Sequence, residues 1–154
     1  MAEHIATICW KNHQEIFTDN RYSREHHWKF DGGSEVAASS SPHIVPVPYS
    51  NPACIDPEEA FVAALSSCHM LFFLAIAAKN KFVVGEYTDR AIGIMEKNKA
   101  GKSAITTVNL YPQVKFWGDN LPSKQKLEEI HHQAHHDCFL ANSVKTKITI
   151  QIEI

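Results

Sequence analysis

Apolar and polar residues alternate in short stretches along the first third of the chain. Residues 4–10, HIATICW, alternate as a strand does, and residues 26–38, HHWKFDGGSEVAA, predict two short strands around an Asp-Gly-Gly turn. Residues 39–57 then hold a serine triplet and five prolines. The pattern predicts N-terminal strands followed by a long irregular loop, of the kind that is either disordered or functional.

A long apolar helix is predicted at residues 57–80. No Asp, Glu, Lys or Arg occurs from Ala60 to Ala78. Asp56 is a good N-cap, Pro57 suits the first helical position, and Glu59 follows Asp56 by three residues, as in a capping box. These signals fix the start of the helix, although its apolar sequence does not show which face is buried.

The uncharged run approaches the ~20 residues that span a bilayer. However, it contains two serines, a cysteine and a histidine at positions 66–69, and it is the only such run in the sequence. The flanking segments alternate like soluble strands. We therefore expect no membrane insertion and prefer a helix that is apolar on all sides because protein surrounds it.

The second half of the chain predicts further strands, a second helix and a closing strand. Residues 82–97 and 103–117 read as strands joined by an NKAG turn, and Pro112 implies an edge position or a bulge. A helix is expected from Pro122 to about Asp137. In the terminal KTKITIQIEI, isoleucines alternate at positions 148, 150, 152 and 154, as in a strand.

These elements predict an α+β fold in which an antiparallel-dominated sheet wraps two helices. The length of 154 residues fits one domain over residues 1–154. Its parts would be the N-terminal strands and Pro-rich loop at 1–56, the central helix at 57–80, and the hairpin, second helix and closing strand at 82–154.

Composition and charge narrow the function classes. Hydrophobic residues make up 44% and charged residues 21% of the chain, which is ordinary for a globular protein. The net charge of -2 and the lack of a basic block suggest no nucleic-acid partner. The N-terminus lacks the pattern of a signal peptide, so we expect a cytoplasmic location.

Four cysteines, none in a CxxC pair, are the first candidates for chemistry. In the cytosol they are expected to be free, metal-bound or catalytic. Cys68 shares a helical stripe with Phe61, Leu65, Phe72 and Ala75, and Cys138 ends the stripe of Leu127, Ile130 and Ala134. Thiols on inward faces of two packed helices can meet and act as nucleophile and resolving partner. The alternative is that both are small core fillers.

A histidine-rich segment and three charged residues offer further chemistry. In EEIHHQAHHDC (128–138), His131 and His135, like His132 and His136, are spaced to chelate a metal, and Asp137 and Cys138 could add ligands. The alternative is a solvated helix end. The charged residues are Arg21, Arg24 and Glu58. A guanidinium near Cys68 would stabilise its thiolate, and a carboxylate could hold the guanidinium, unless these are plain surface charges.

Two motifs make the sequence similar to a known family. DPEEAFVAALSSCHML (56–71) and AHHDCFLANSVK (134–145) resemble the two cysteine motifs of the OsmC/Ohr family of thiol-dependent hydroperoxide reductases. The resemblance covers roughly residues 20–154, including the middle hairpin. It implies an OsmC-like fold, with sheets around long central helices in an intertwined homodimer.

The resemblance also implies roles for individual residues. Cys68 would attack the peroxide and become a sulfenic acid, and Cys138 would condense with it to a disulfide. A small dithiol, lipoyl-linked in the better understood relatives, would restore both thiols, and no cofactor is implied. Glu58 matches the family carboxylate that pairs with an arginine, for which Arg24 is our choice and Arg21 the alternative.

His69 departs from the family pattern, because many relatives have Phe after the nucleophile. An imidazole there would narrow or polarise the substrate pocket. The expected function is a peroxidase for organic hydroperoxides, with hydrogen peroxide left open as a second substrate. The alternatives are a metal-binding protein that uses the 131–138 cluster and a non-enzymatic small-ligand binding module on the same fold.

The spacing of Glu58 and Cys68 predicts a homodimer with shared active sites. Ten residues on one helix separate these side chains by ~15 Å along its axis, so the carboxylate cannot serve the thiol of its own helix directly. Two antiparallel helices, one from each subunit, could bring Glu58 of one chain toward Cys68 of the other. The same pairing would bury a helix that is apolar on every side.

Overall fold

The computed structural model describes residues 1–13 and 16–153 of the chain. Contacts divide the chain into two units, Met1–Ala60 and Phe61–Ile154. The prediction of one domain over the whole chain stays a prediction. Ile154, the last residue of the predicted closing strand, lies outside the described residues.

The first unit is built on a three-stranded antiparallel sheet. Its strands are β1 (Ala6–Cys9), β2 (His26–Phe30) and β3 (Glu35–Ala38), in the order β1-β2-β3. The turn between β2 and β3 uses Gly33 with φ of 90°, a conformation that glycine adopts without steric cost. The predicted N-terminal strands and their turn are confirmed.

The Pro-rich loop after β3 is held by serine hydroxyls rather than by an apolar core. The Ser50 hydroxyl donates to the carbonyl of Val45 at 2.6 Å, and the Asn51 N–H donates to the hydroxyl of Ser39 at 3.0 Å. Ser39, Ser41 and Ser50 are all buried. Hydroxyls that satisfy backbone groups can therefore fix the course of a long loop.

Helix α1 spans Pro57–Lys79 and starts with the predicted capping box. The Glu59 N–H donates to the carboxylate of Asp56 at 2.8 Å, and the Asp56 N–H donates to the carboxylate of Glu59 at 3.2 Å. This reciprocal pair satisfies two of the free donors at the helix start. The predicted start is confirmed, and the helix ends one residue before the predicted Asn80.

The second unit carries two small sheets and helix α2. Its remaining elements are β4 (Val83–Asp89), β5 (Ile92–Lys97), β6 (Ser103–Leu110), β7 (Pro112–Trp117), α2 (Lys124–Asp137), a 3₁₀ turn (Ala141–Ser143) and β8 (Lys147–Ile150). Strands β4 and β7 form an antiparallel pair, whereas the other sheet has the order β5-β6-β8, with β8 parallel to β6. The α+β class with antiparallel-dominated sheets is confirmed.

The strands predicted at 82–97 and 103–117 are each divided in two, into β4 and β5 and into β6 and β7, whereas the other local predictions for this unit hold with shifted ends. The NKAG turn closes with a bond from the Asn98 N–H to the carbonyl of Lys102 at 2.8 Å. Pro112 begins β7, which within the described part of the chain pairs with β4 alone, as an edge strand does. Helix α2 begins after Ser123, whose hydroxyl caps it, rather than at Pro122. The closing strand ends at Ile150, so Ile152 lies beyond it.

The core of the second unit has two apolar clusters on the faces of the helices. Phe73 and Ala77 of α1 pack with Ile130 and Ala134 of α2. The second cluster joins Leu65 of α1 to the sheet that contains β6 and β8, through Val108 and Leu110. Helix α1 thus lies against α2 along one part and against a sheet along another.

The buried face of α1 differs from the predicted stripe. The buried side chains are Leu65, His69, Phe73 and Ala77, whereas Cys68 is half-buried and Ala75 is exposed. The predicted stripe is therefore wrong at Ala75, and the fully buried stripe lies one residue away from Cys68, at His69. On a helix that is apolar all round, residue spacing does not distinguish the faces.

Helix α1 is also poorly covered by its own chain. Its most apolar 18-residue window has a mean hydropathy of 2.1, and only 22% of that window is buried. Within the described residues it is the one helix long and apolar enough to cross a membrane, a test that core helices of soluble proteins also pass. A single chain thus buries only part of the helix that was predicted to be surrounded by protein.

Candidate active site

The thiols of Cys68 and Cys138 meet between the two helices. Cys68 lies in the middle of α1, and Cys138 is the C-cap of α2, where the chain leaves the helix. Their sulfurs are 2.8 Å apart, and both are free thiols. Cys138 is buried, with 1% of its surface exposed, while Cys68 is half-buried. The less buried sulfur is therefore the one that a small molecule can reach.

The contact between the thiols is polarised. The Cys138 S–H donates to the sulfur of Cys68. Burial, and then this hydrogen bond, raise the pKa of Cys138 to about 11, although an N–H from Ala141 at 3.4 Å acts in the opposite direction. Cys138 therefore keeps its proton near neutral pH, and its S–H is directed at the sulfur of Cys68.

Apolar side chains flank the two cysteines. Phe72, one turn after Cys68, packs edge-on against Phe139, with ring centroids 4.9 Å apart. Leu71 and Phe139 are 60% and 73% exposed, and Leu140 is partly exposed. Large exposed apolar side chains next to a sulfur suit a ligand or a partner with an apolar part.

His69 does not face a substrate pocket, as the sequence suggested, but lies in the core against α2. Its Nε2 atom is 3.0 Å from Nδ1 of His131, and each residue is only 1% exposed. Burial, and then the charge on His135, lower the pKa of His69 to about 4. Burial, and then the neighbouring histidines, lower the pKa of His131 to about 3. Both rings are therefore neutral near pH 7.

The predicted arginine and carboxylate are not brought together within one chain. The Arg24 guanidinium donates to the carbonyls of Asn20 and Tyr22 at 3.0 and 2.6 Å, and it lies over the Tyr22 ring at 3.7 Å. Among the described residues it forms no ion pair. Arg21, the alternative, is exposed. The Oε2 atom of Glu58 is buried and has no hydrogen-bond partner in the part of the chain that is described.

A model of the OsmC family, described as OsmC-like protein, matches residues 50–153. The chain belongs to the OsmC-like family. An OsmC-like protein of unknown function from Vibrio cholerae is 58% identical, with a TM-score of 0.98 over 99% of this chain and 100% of that one. The family resemblance and the OsmC-like fold expected from the two cysteine motifs are confirmed.

More distant structures share the OsmC-like fold. An organic hydroperoxide resistance protein OsmC from Legionella pneumophila is 15% identical, with a TM-score of 0.70 over 100% of this chain and 98% of that one. The organic hydroperoxide resistance protein OhrB of Bacillus subtilis is 15% identical, with a TM-score of 0.71 over 99% and 98%. Likeness at this identity shows the fold alone. No curated protein matches the chain.

The histidine cluster of this OsmC-like protein does not form a ligand set. His131 points to His69, and His136 is bound to the carboxylate of Asp137 at 2.9 Å. Across residues 1–13 and 16–153, no group of three or more His, Cys, Asp or Glu side chains could hold a metal ion. The helical spacing suggested chelation, but the rings turn to different partners.

Two polar features of the OsmC-like site were missed from the sequence. One is the His69–His131 pair. The other is Asp89, whose carboxylate accepts hydrogen bonds from the Ser66 hydroxyl and, at 2.6 Å, from the Tyr111 N–H. This carboxylate ties α1, two residues before Cys68, to the connection between β6 and β7. Asp89 ends an alternating strand, a position that could have marked it as a link to another element.

Proposed function

We propose that this OsmC-like protein is a thiol-dependent peroxidase that reduces organic hydroperoxides. The observation that carries the proposal is the contact of two free thiols at 2.8 Å, in which buried Cys138 donates its hydrogen to the more exposed Cys68. This arrangement suits a nucleophilic thiolate with a resolving thiol in reach. The fold shared with organic hydroperoxide resistance proteins supports the substrate class.

The proposed reaction uses two electrons from a dithiol. The Cys68 thiolate attacks the distal peroxide oxygen, the O–O bond breaks, and the departing alkoxide takes a proton to leave as an alcohol. Cys68 becomes a sulfenic acid, and the Cys138 thiol displaces its hydroxyl as water, which forms the disulfide. A dithiol reductant, lipoyl-type in our proposal, then reduces this disulfide by exchange and is itself oxidised to a disulfide.

The apolar residues beside Cys68 favour a substrate with a hydrocarbon part. Phe72 and Phe139 offer apolar surface that an alkyl group can bury at about 25 cal/mol per Å². Hydrogen peroxide has no such group. We therefore expect organic hydroperoxides to react with the higher kcat/KM, and hydrogen peroxide to be the weaker second substrate.

We further propose that the protein acts as an intertwined homodimer. Three observations within one chain support this. Only 22% of the most apolar window of α1 is buried, the N-terminal sheet presents exposed apolar residues, and Glu58 has a buried oxygen without a partner among the described residues. A buried carboxylate oxygen without a hydrogen bond is costly, so a donor from a second chain would complete the site.

Arg24 is the proposed donor in that dimer. Its guanidinium donates to main-chain carbonyls, which are uncharged. Among the described residues, no carboxylate forms an ion pair with it. In the dimer it would bridge Glu58 of one chain and the Cys68 thiolate of the other, with Arg21 as the alternative. An arginine there would stabilise the thiolate through charge and orient it for attack.

The test is peroxide consumption with a dithiol reductant. Wild type should consume an alkyl hydroperoxide with turnover, Cys68→Ser should be inactive, and Cys138→Ser should react about once per chain and then stall as the sulfenic acid. Cys9→Ser is the matched control, because Cys9 is a free thiol in the first unit. Equal rates for wild type and Cys68→Ser would reject the enzyme and leave the ligand-binding module.

A further inference from the structure

The two buried histidines meet head-on through their ring nitrogens. Their planes are parallel within 1° and their centroids are 5.3 Å apart, whereas Nε2 of His69 and Nδ1 of His131 are 3.0 Å apart. The centroid separation exceeds the nitrogen distance by about one ring radius at each end. The rings are thus joined edge to edge by one in-plane hydrogen bond rather than stacked face to face.

This hydrogen bond links α1 to α2 beside the cysteines. His69 directly follows Cys68, and His131 lies two turns before Cys138 on the helix that this cysteine ends. Apart from the contact of the two thiols, the helices are joined by the apolar cluster of Phe73, Ala77, Ile130 and Ala134. Apolar contacts are non-directional, whereas a hydrogen bond weakens steeply when its length or angle changes. The pair is therefore suited to fix the relative position of the helices.

The pair also has a high free-energy cost for a contact whose only role would be structural. Nδ1 of His69 and Nε2 of His131 are both buried and have no hydrogen-bond partner among the described residues. Two neutral imidazoles share one proton in the bridge, so one ring is left with an N–H donor and the other with a lone pair. Because an apolar pair of similar volume would avoid this cost, the geometry suggests a benefit other than stability.

We propose that His69 and His131 are positioning residues that set the register of α1 on α2 and so hold the sulfurs of Cys68 and Cys138 in contact. Among the described residues, the hydrogen bond that each ring makes with another side chain is to the other ring, and that of each thiol is to the other thiol. The pair acts on disulfide formation, in which Cys138 must reach the sulfenic acid of Cys68. It does not act on the first attack on peroxide, which takes place at Cys68 and does not consume Cys138. The part concerning the sulfenic acid rests on the proposed function.

The first test measures the contact of the thiols without any peroxide. In a dithiothreitol redox buffer, the equilibrium between the dithiol and the Cys68–Cys138 disulfide gives the effective concentration of one thiol at the other. His131→Leu should lower this value about ten-fold or more, because displacements near 1 Å have large effects on such reactions. A value within three-fold of wild type would overturn the proposal.

Three further variants separate the hydrogen bond from packing. His131→Asn places an amide where Nδ1 stood, so it should restore the effective concentration to within three-fold of wild type. Ile130→Ala loosens the same helix contact without touching the bond, and should also stay within three-fold. If the amide fails to restore the value, or if Ile130→Ala lowers it as far as His131→Leu, the role belongs to general packing and the proposal fails.

If His131→Leu does not fold, the double variant His69→Leu/His131→Leu, which leaves no ring unpaired, is measured in its place.

The second test separates the two steps of the reaction. After one equivalent of alkyl hydroperoxide, His131→Leu should form sulfenic acid at the wild-type rate within three-fold, but should form the disulfide about ten-fold more slowly. On addition of a second equivalent of the hydroperoxide, the stalled sulfenic acid should be oxidised further to sulfinic acid, seen by mass spectrometry. Equal slowing of both steps would overturn the positioning role. If wild type does not react with the peroxide at all, the proposed function fails, while the redox-buffer result still decides the inference.

Discussion

The two units of the chain bury different kinds of side chain. Ten apolar side chains are buried in the described residues, and nine of them belong to the second unit; Ala38 alone belongs to the first. The buried side chains of the first unit are otherwise polar, namely Ser39, Ser41, Ser50 and Asp56. Hydrogen bonds shape the first unit, whereas apolar packing holds the second.

This difference indicates where each unit obtains its stability. A hydrogen bond contributes only about 1 kcal/mol net, while burying a large apolar side chain contributes about 1.5–3 kcal/mol. In the first unit, Ile5 and Ile8 are more than half exposed, and Phe30 is partly exposed. A sheet with so little buried apolar surface depends on a covering surface, which we propose is the second chain.

The largest expected effect comes from a charge on the exposed face of α1. Leu71→Glu should break the proposed dimer, because an unpaired carboxylate buried in an interface costs about 3–5 kcal/mol. Leu71 is 60% exposed in one chain, so the monomer itself should tolerate the change. Sedimentation should show the dissociation constant rising by roughly 10²–10⁴-fold.

Leu121→Glu is the matched control for that experiment. Leu121 is also 60% exposed but lies outside α1, before helix α2. It should leave the dissociation constant within a few-fold of wild type. A wild-type chain that sediments as a folded, active monomer at micromolar concentration would contradict the proposed dimer. It would also contradict the proposal that a second chain covers the sheet of the first unit.

The next largest effect concerns the core of the second unit. Ile130→Ala should lower the free energy of unfolding by about 2–5 kcal/mol, because it leaves a cavity between α1 and α2. Val83→Ala, at a half-exposed position of the same unit, should cost less than about 1 kcal/mol. Urea denaturation checks both. Similar losses for the two variants would show that the apolar core is not what holds this unit.

Acid should weaken the second unit through the histidine pair. In the folded chain the pKa values of His69 and His131 are lowered to about 4 and about 3, so below pH 6.5 the unfolded chain binds more protons. The stability is complete above about pH 6.5 and is lost as the pH falls toward 4. Between pH 7 and pH 5 the loss should be roughly 3 kcal/mol for the pair.

The double variant His69→Leu/His131→Leu isolates this contribution. The groups around the rings are His132 and His135 on α2 and, beyond Phe73, Tyr87 of β4. These stay in place in the variant, so the difference between the two curves of unfolding free energy against pH reports the pair. A variant that keeps the wild-type slope would mean that other groups cause the acid sensitivity.

The smallest effect is expected at the start of α2. The Ser123 hydroxyl accepts a hydrogen bond from the Lys126 N–H at 3.1 Å, and Ser123→Ala should cost about 1 kcal/mol. Ser123→Asp keeps an acceptor at the N-cap and should retain wild-type stability within about 0.5 kcal/mol in thermal denaturation. A loss as large as that of Ser123→Ala would show that the cap bond is not the cause.

Local signals in the sequence predicted the helix starts and turns well. The capping box of Asp56 and Glu59, the NKAG turn and the edge position of Pro112 each depend on residues close in sequence. The meeting of Cys68 and Cys138 was also within reach, because Leu127, Ile130 and Ala134 mark the inward face of the amphipathic α2. For the two cysteines, the family resemblance and the spacing of apolar residues led to the same prediction.

What the sequence did not predict depends on distant contacts. Helix α1 is apolar on every side, so the buried stripe of Leu65, His69 and Phe73 could not be told from its neighbours. His131 stands in a histidine-rich segment, but only packing makes it turn inward to His69. Likewise, alternation in the closing strand does not show that it pairs in parallel with β6. In each of these cases the sequence predicted the helix or strand correctly, but not which residue or strand it contacts.

The position of Cys138 at the end of α2 bears on how the redox state is recognised. The sulfurs need to close only from 2.8 Å to the ~2.0 Å of a disulfide, and the chain has already left the helix at Cys138. Oxidised and reduced forms should therefore present almost the same outer shape. A reductant must then recognise the sulfur–sulfur bond and the apolar residues beside it, because we expect oxidation to change the rest of the surface very little. For the same reason, a binding partner that reads shape would not distinguish the two forms.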